Sequence, residues 1–304
     1  MNITNPIFKE MIKLKIVSKK NITKISKRTR DSAIPVYQDK KTGVILLGKQ
    51  LTNEKYFEKG KLDRRSIYTR SKRLINHINT FKKVIKSPYL DDDSRRAIQF
   101  RKYIKNKKVL DYGCGWGGFL KKCSNFAKYV CGIEVGHHFF TYFKKNLKKI
   151  PIYKNFNHLN EKFNLITMFH VLHYIPNQVE SLKRLRNKLF TGGFLIIEVP
   201  SASDLLLSIN DFDNFKNFTF NKEQLILHNE FSLKKVLKKS GFKKIQIKYF
   251  QRYNFNNHLG WFVKKIPGGQ KFYHNIYDKK IINDYSNFLV RNKKTDTLIA
   301  IAKK

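Results

Sequence analysis

Two acids and three histidines are the residues of this 304-residue chain whose type and setting suit chemistry: Asp111, Glu134, His170, His173 and His228. Asp111 closes the apolar run Val109-Leu110 and stands two residues ahead of Gly113, with Gly115, Gly117 and Gly118 following. Glycines lack a Cβ, so the backbone can turn tightly there and approach a bound molecule. The free N–H groups of a helix opening at Gly118 point into the same space. A second run, Tyr129-Val130-Cys131-Gly132-Ile133, leads into Glu134, 23 residues after Asp111. That spacing lets a βαβ unit place a carboxylate on ribose hydroxyls. A histidine titrates near neutrality and suits removal of a hydroxyl proton. His228 is the first choice for that base. His170, which follows the apolar run 163–169, is the second choice and also a cofactor-side contact.

The elements that must position these residues are legible as alternating strands and helices. Residues 108–110, 129–135, 152–153, 163–169 and 194–199 read as five strands with helical stretches between them. Helices over 95–104, 181–190 and 232–240, the last closed by Gly241, complete the alternation. Residues 244–249 and 297–302 alternate as a terminal strand pair. Ahead of this lies an accessory region, 1–94. It begins with a basic, irregular arm (1–30), continues as a hairpin with its turn at 41–43, and ends in a helical stretch (52–90) where Leu74, Ile75, Ile78, Phe81, Val84 and Ile85 recur at helical spacing. A lid and an oligomer contact are both open for this region. Two insertions individualise the rest, at 201–230 and 251–294. Both stand where α/β proteins build substrate contacts or lids.

Two cofactor classes use a glycine-rich strand-to-helix turn. Gly113, Gly115 and Gly118 also satisfy the dinucleotide pattern. An acid two residues before the first glycine suits a cationic ligand group and sits badly beside a pyrophosphate, which favours the other class. The stretch Val109-Leu110-Asp111-Tyr112-Gly113-Cys114-Gly115-Trp116-Gly117 resembles motif I of the class I S-adenosylmethionine-dependent methyltransferases. The resemblance covers residues 95–304. It implies a Rossmann-like, seven-stranded methyltransferase sheet with helices on both faces, and S-adenosylmethionine as cofactor. Asp111 and the backbone of Gly113, Gly115 and Gly117 would then hold the methionine end, Glu134 the ribose, and His170 would stand beside the methyl group. Asn155 or Asn157 would meet the adenine edge. The chain departs from the family pattern with Asn164 where Asp is usual and His173-Tyr174 where Glu-His is common.

The acceptor is narrowed by what is missing. No Asn/Asp-Pro-Pro-aromatic tetrad follows the 163–169 strand, which sets aside amino methylation of bases, and no thiol stands where 5-methylpyrimidine enzymes need one. His228-Asn229-Glu230 distantly resembles the His-Glu-His stretch of sugar C-methyltransferases, but the second histidine is absent, so an oxygen acceptor is the better expectation. The aromatic, amide-rich insertions point to a sugar, glycan or related small molecule, with faces that stack and amides that bond hydroxyls. The formal charge of +41 keeps an RNA-modifying methyltransferase or RNA-binding protein as the second reading, although the lysines are spread along the chain. A non-catalytic interaction protein of the same fold is the third. Cys114, Cys123 and Cys131 form no C-x-x-C pair, and the adjacent His137 and His138 point to different sides of a helix, so no metal is expected. No apolar run reaches membrane-spanning length, and residues 1–20 carry lysines and no cleavage-site pattern. The expectation is a cytoplasmic protein, with membrane-surface association and oligomeric state left open.

Overall fold

The computed structural model describes residues 3–58, 92–276 and 278–304. The helical stretch expected over 52–90 therefore lies mostly outside the described residues. In chain order the elements are α1 (Pro6–Lys13), β1 (Ile22–Ser26), β2 (Val36–Asp39), β3 (Ile45–Leu47), α2 (Glu54–Glu58), α3 (Asp92–Gln99), α4 (Arg101–Ile104), β4 (Lys108–Tyr112), α5 (Gly118–Cys123), β5 (Tyr129–Ile133), α6 (His137–Asn146), β6 (Ile152–Tyr153), β7 (Phe163–Phe169), α7 (Gln178–Asn187), β8 (Leu189–Pro200), α8 (Asp213–Thr219), β9 (Ile226–Leu227), α9 (Glu230–Lys239), β10 (Lys243–Phe250), α10 (Phe255–Lys264), α11 (Gly269–Phe272), α12 (Lys279–Arg291) and β11 (Thr297–Lys303).

A seven-stranded sheet runs in the order β10-β11-β8-β7-β4-β5-β6. β4 pairs in parallel with β5 and β7, and β5 with β6, while β10 and β11 form an antiparallel pair. This is the Rossmann-like, seven-stranded sheet expected from the sequence. Its parallel strands read as near-continuous apolar runs because helices cover them on both faces. Leu110, Leu165, Ile166, Met168, Ile196 and Ile197 are fully buried. Asn164, the departure from the family pattern, accepts the Lys108 N–H at 2.9 Å and so ties the start of β4 to β7.

The chain divides into two compact units. One runs from Thr52 to Met168 and takes Lys188–Phe194; the other holds the described residues up to Leu51, Phe169–Asn187 and Leu195–Lys304. In this second unit the 34–47 hairpin forms as expected, with Gly43 at φ +77 in its turn. It belongs to a four-stranded sheet, β1-β2-β3-β9, whose fourth strand comes from the 201–230 insertion. Ile34, Val36, Ile45 and Leu47 share a core with Ala202, Phe220 and Leu227.

The irregular arm expected over 1–30 is corrected: it contains α1 and β1. Ile7, Phe8 and Met11 fall on one buried face of α1, and Asn5 caps it by accepting the Ile7 N–H. Lys9 and Glu10 between them masked that periodicity in the sequence. The two insertions also pack on each other, with Leu206, Phe212 and Phe215 against Trp261. Asp296 anchors the start of the 251–294 segment by accepting the N–H groups of Arg252 and Tyr253 and the Gln251 amide, and His258 meets the Tyr285 hydroxyl at 2.8 Å.

Candidate functional site

In the Thr52–Met168 unit, β4 delivers Asp111 to its carboxyl end and the glycine turn follows. Gly113, Gly115 and Gly117 have φ of +81, +52 and +70, left-handed values that disfavour any residue with a Cβ. The turn is held from β5, whose Ile133 carbonyl accepts the N–H groups of both Gly113 and Cys114. Gly117 is also a close approach: a Cβ there would lie 2.4 Å from Phe143 Cζ. At Gly115 a Cβ would meet nothing within 4 Å, so the turn opens there on to free space.

Asp111 is 3% exposed and accepts the Thr167 hydroxyl at 2.7 Å. Burial pushes its carboxyl up to about 7, against the opposing pull of Thr167 and of the Arg96 charge. A buried carboxylate this reluctant to ionise alone is what an ammonium group would complete. Glu134 braces the turn: Oε2 accepts the Gly115 N–H at 2.9 Å, and Oε1 accepts the Val135 N–H at 2.8 Å. Carboxylate oxygens have lone pairs beyond these, so ribose hydroxyls would add to the bracing rather than replace it. The open cradle at Gly115, the buried anion and the braced acid fit S-adenosylmethionine.

Two details were missed in the sequence. Trp116, between two of the glycines, is 52% exposed, and the rings of His138, Phe139 and Tyr142 pack edgewise around it. A tryptophan inside a glycine turn was the available signal. Thr167, the partner of Asp111, was hidden inside an apolar strand. Asn155, expected near the adenine edge, accepts the Asn157 N–H and shapes a short turn. The thiols of Cys114 and Cys131 are pushed up by burial, which removes them as nucleophiles. Among the described residues no group of three or more His, Cys, Asp or Glu could hold a metal ion.

The second unit carries the three histidines. His228, the first choice for a base, is fully buried. Its Nδ1 meets Ser232 Oγ and its Nε2 meets Gln178 Oε1, both at 2.9 Å. Burial depresses it to about 3. With both nitrogens engaged and no access, His228 ties α9 to α7, and the geometry speaks against a base there. Ser232 and Asn229 complete a capping box at the start of α9. We expect His228→Ala to lower stability by about 2–3 kcal/mol, through a cavity and two stranded polar partners, in a denaturant melt. Cofactor affinity, measured by calorimetric titration, should stay unchanged.

His173 is also buried, at 1% exposure, and burial holds it well below the usual histidine value, with His170 and His228 adding to the effect. His170 differs from both. Its side chain is 27% exposed, its Nε2 lies 3.2 Å from Oε1 of the fully buried Glu198, and its backbone is left-handed at φ +56. It is the residue directly after β7, the strand that carries Thr167. Of the insertion aromatics expected to stack on a sugar, Phe212, Phe215 and Trp261 instead fill a core, buried against one another. No described helix is long and apolar enough to cross a membrane.

Comparison with known proteins places these features. A family model described as a methyltransferase domain matches residues 89–247. A tRNA U34 carboxymethyltransferase of Campylobacter hominis is 33% identical over 104 residues, which is 31% of this chain and 36% of that protein. An uncharacterized protein of Haemophilus influenzae is 31% identical over 106 residues, 31% of this chain and 42% of that one. The chain thus spans less than half the length of either curated relative. Among solved structures, a SAM-dependent methyltransferase from Archaeoglobus fulgidus superposes with a TM-score of 0.49 at 18% identity, covering 75% of this chain and all of that one (100%). A SAM-dependent methyltransferase from Thermotoga maritima, a possible histamine N-methyltransferase, gives 0.46 at 14%, covering 76% and 96%.

Proposed function

We propose an acceptor for a chain that belongs to the methyltransferase-domain family, the class I enzymes that use S-adenosylmethionine: it methylates a hydroxyl of a sugar, glycan or related small polar molecule. When bound, the cofactor supplies a methyl carbon on a sulfonium centre, ready for in-line displacement. The protein's part is to hold, to orient and to accept a proton. Asp111 would hold the amino group of the methionine end, the Gly113–Gly117 turn its backbone neighbours, and Glu134 the ribose.

The observation that carries the hydroxyl reading is His170. A hydroxyl has to lose its proton as its oxygen is methylated, and a positioned histidine suits that task. Of the three candidate histidines, His170 alone combines partial exposure with a buried carboxylate at ion-pair distance. With the insertion aromatics packed into a core, sugar recognition rests on this proton chemistry and on amides, not on stacking by Phe212, Phe215 or Trp261.

The test uses S-adenosylmethionine labelled in its methyl group, with panels of free sugars, nucleotide sugars and bulk RNA. We expect label in an ether of a sugar-containing acceptor, and a rate lowered about a hundredfold or more in His170→Ala. Equal rates in His170→Ala would remove His170 as the base. A second reading, an RNA acceptor, is supported by the charge of +41 and by the tRNA-modifying relative from Campylobacter hominis. It requires RNA binding that weakens steeply with salt, in proportion to the phosphates contacted. Label in RNA and none in the sugar panels would decide for it.

A further inference from the structure

We propose that Glu198 is the positioning residue for His170, gripping it by backbone and by ring so that Nδ1 is left as the proton-accepting nitrogen. This rests on the hydroxyl-acceptor reading above. The first observation is the cost of Glu198 itself. It is fully buried in β8 among Leu195, Ile196, Ile197 and Val199, all fully buried as well. A carboxylate is expensive in such a place without a charged or hydrogen-bonding partner. Its neighbours in this half of the strand are aliphatic, and packing alone gives no reason for an acid among them.

The second observation is what Glu198 touches. Its carbonyl accepts the His170 N–H at 2.8 Å, and its Oε1 stands 3.2 Å from His170 Nε2. One residue therefore holds both the main chain and the ring of His170, across the adjacent carboxyl ends of β7 and β8. That end of an open α/β sheet is where ligands bind.

The third is the His170 backbone. A left-handed φ of +56 in a residue with a Cβ costs about 1–2 kcal/mol. Such conformations persist where the surroundings over-determine them, and they cluster at functional sites. Here the main-chain bond to Glu198 fixes the turn that brings the ring on to the carboxylate. The ring contact is at ion-pair distance, 3.2 Å, in the protein by itself.

The chemistry follows from which nitrogen faces the acid. A carboxylate accepts, so the Nε2 beside it carries the proton and the lone pair sits on Nδ1. The acceptor's hydroxyl proton passes to Nδ1 as its oxygen takes the methyl carbon and the carbon–sulfur bond breaks. The imidazolium that results lies beside Glu198, and the proton leaves to water afterwards. His173, whose ring centroid is 6.1 Å from that of His170, is kept neutral by burial and does not compete for that proton.

The experiment is proton NMR of the full chain in cold water at neutral pH. We expect a far-downfield imidazole N–H resonance, protected from exchange, in the wild-type protein. His170→Asn should lose it, which assigns it; Glu198→Leu should lose it; Glu198→Gln, with a weaker acceptor of the same shape, should move it upfield. The idea is overturned if the wild type has no resonance that His170→Asn removes, or if that resonance survives Glu198→Leu in a folded protein. Should Glu198→Leu fail to fold, an unmoved resonance in Glu198→Gln overturns it equally. Titration with S-adenosylmethionine runs alongside. The folded Glu198 variants should keep the wild-type affinity within about twofold; a tenfold loss would make Glu198 a general structural support. A wild type that does not bind the cofactor would sink the methyltransferase reading while leaving the resonance test to stand by itself.

Discussion

S-adenosylmethionine should bind about tenfold more weakly for each unit of pH below about 7, and Asp111→Asn should abolish that dependence. The Asp111 carboxyl is pushed up to about 7 chiefly by burial. Below that point most of the protein carries a neutral acid where the amino group of the methionine end needs an anion, so each unit costs a factor of about ten. Above it, affinity levels off. In Asp111→Asn the amide cannot supply the charge at any pH, and we expect a loss of about a hundredfold at pH 8 (~2.7 kcal/mol), in the range found when one partner of a buried charge pair is removed.

Isothermal titration across pH measures both effects. A flat wild-type profile would remove Asp111 as the cationic group's partner. The same group sets a stability trend in the unliganded protein. The unfolded chain releases this proton near the usual carboxyl value of 3.8, whereas the folded protein keeps it up to about 7. Across that window the unfolded state binds fewer protons, so the Asp111 contribution to stability falls as pH rises. Cofactor binding should offset that fall, which makes the rise in melting temperature on adding S-adenosylmethionine larger at pH 8 than at pH 5.

Gly117→Ala should damage the fold, and Gly115→Ala should damage binding. Both residues have left-handed backbones, which cost a residue with a Cβ about 1–2 kcal/mol. At Gly117 the added Cβ also lies 2.4 Å from Phe143 Cζ and 2.7 Å from Leu147 Cδ1. Overpacking adds about 1–3 kcal/mol, so the melting midpoint should fall by roughly 5–10 °C. At Gly115 nothing lies within 4 Å of the new atom, and the melting midpoint should move by only a few degrees. The methyl would instead stand in the open cradle of the turn, and we expect cofactor affinity to fall by more than about tenfold. Thermal melts paired with titrations separate the two. Equal melting losses with intact binding in Gly115→Ala would show that the cradle does not face the cofactor.

The sequence by itself determined the parallel sheet and the cofactor turn. The reason is local: a strand, a glycine turn and a helix start are written in adjacent residues, and Gly113, Gly115 and Gly117 need their left-handed backbones whatever surrounds them. Glu134 was legible for the same reason, since a βαβ unit fixes its spacing from Asp111. The strand pattern likewise gave β7 and the position of His170 at its end.

Tertiary structure decided everything that depends on distant partners. His228 and His170 look alike in the sequence, each a histidine that follows an apolar run. One is closed in by Gln178 and Ser232, and the other stands half-buried beside Glu198. No periodicity distinguishes them, because burial of a side chain is set by elements packed from elsewhere in the chain. The pairing of β3 with β9, and the core that Phe212 and Phe215 share with Trp261, are of the same kind. Those aromatics read as sugar-stacking faces because composition cannot tell an exposed ring from a packed one. Asp111 itself was read by type and place, but its reluctance to ionise arises from the burial around β4, which only the folded sheet creates and which outweighs the opposing hydrogen bond from Thr167.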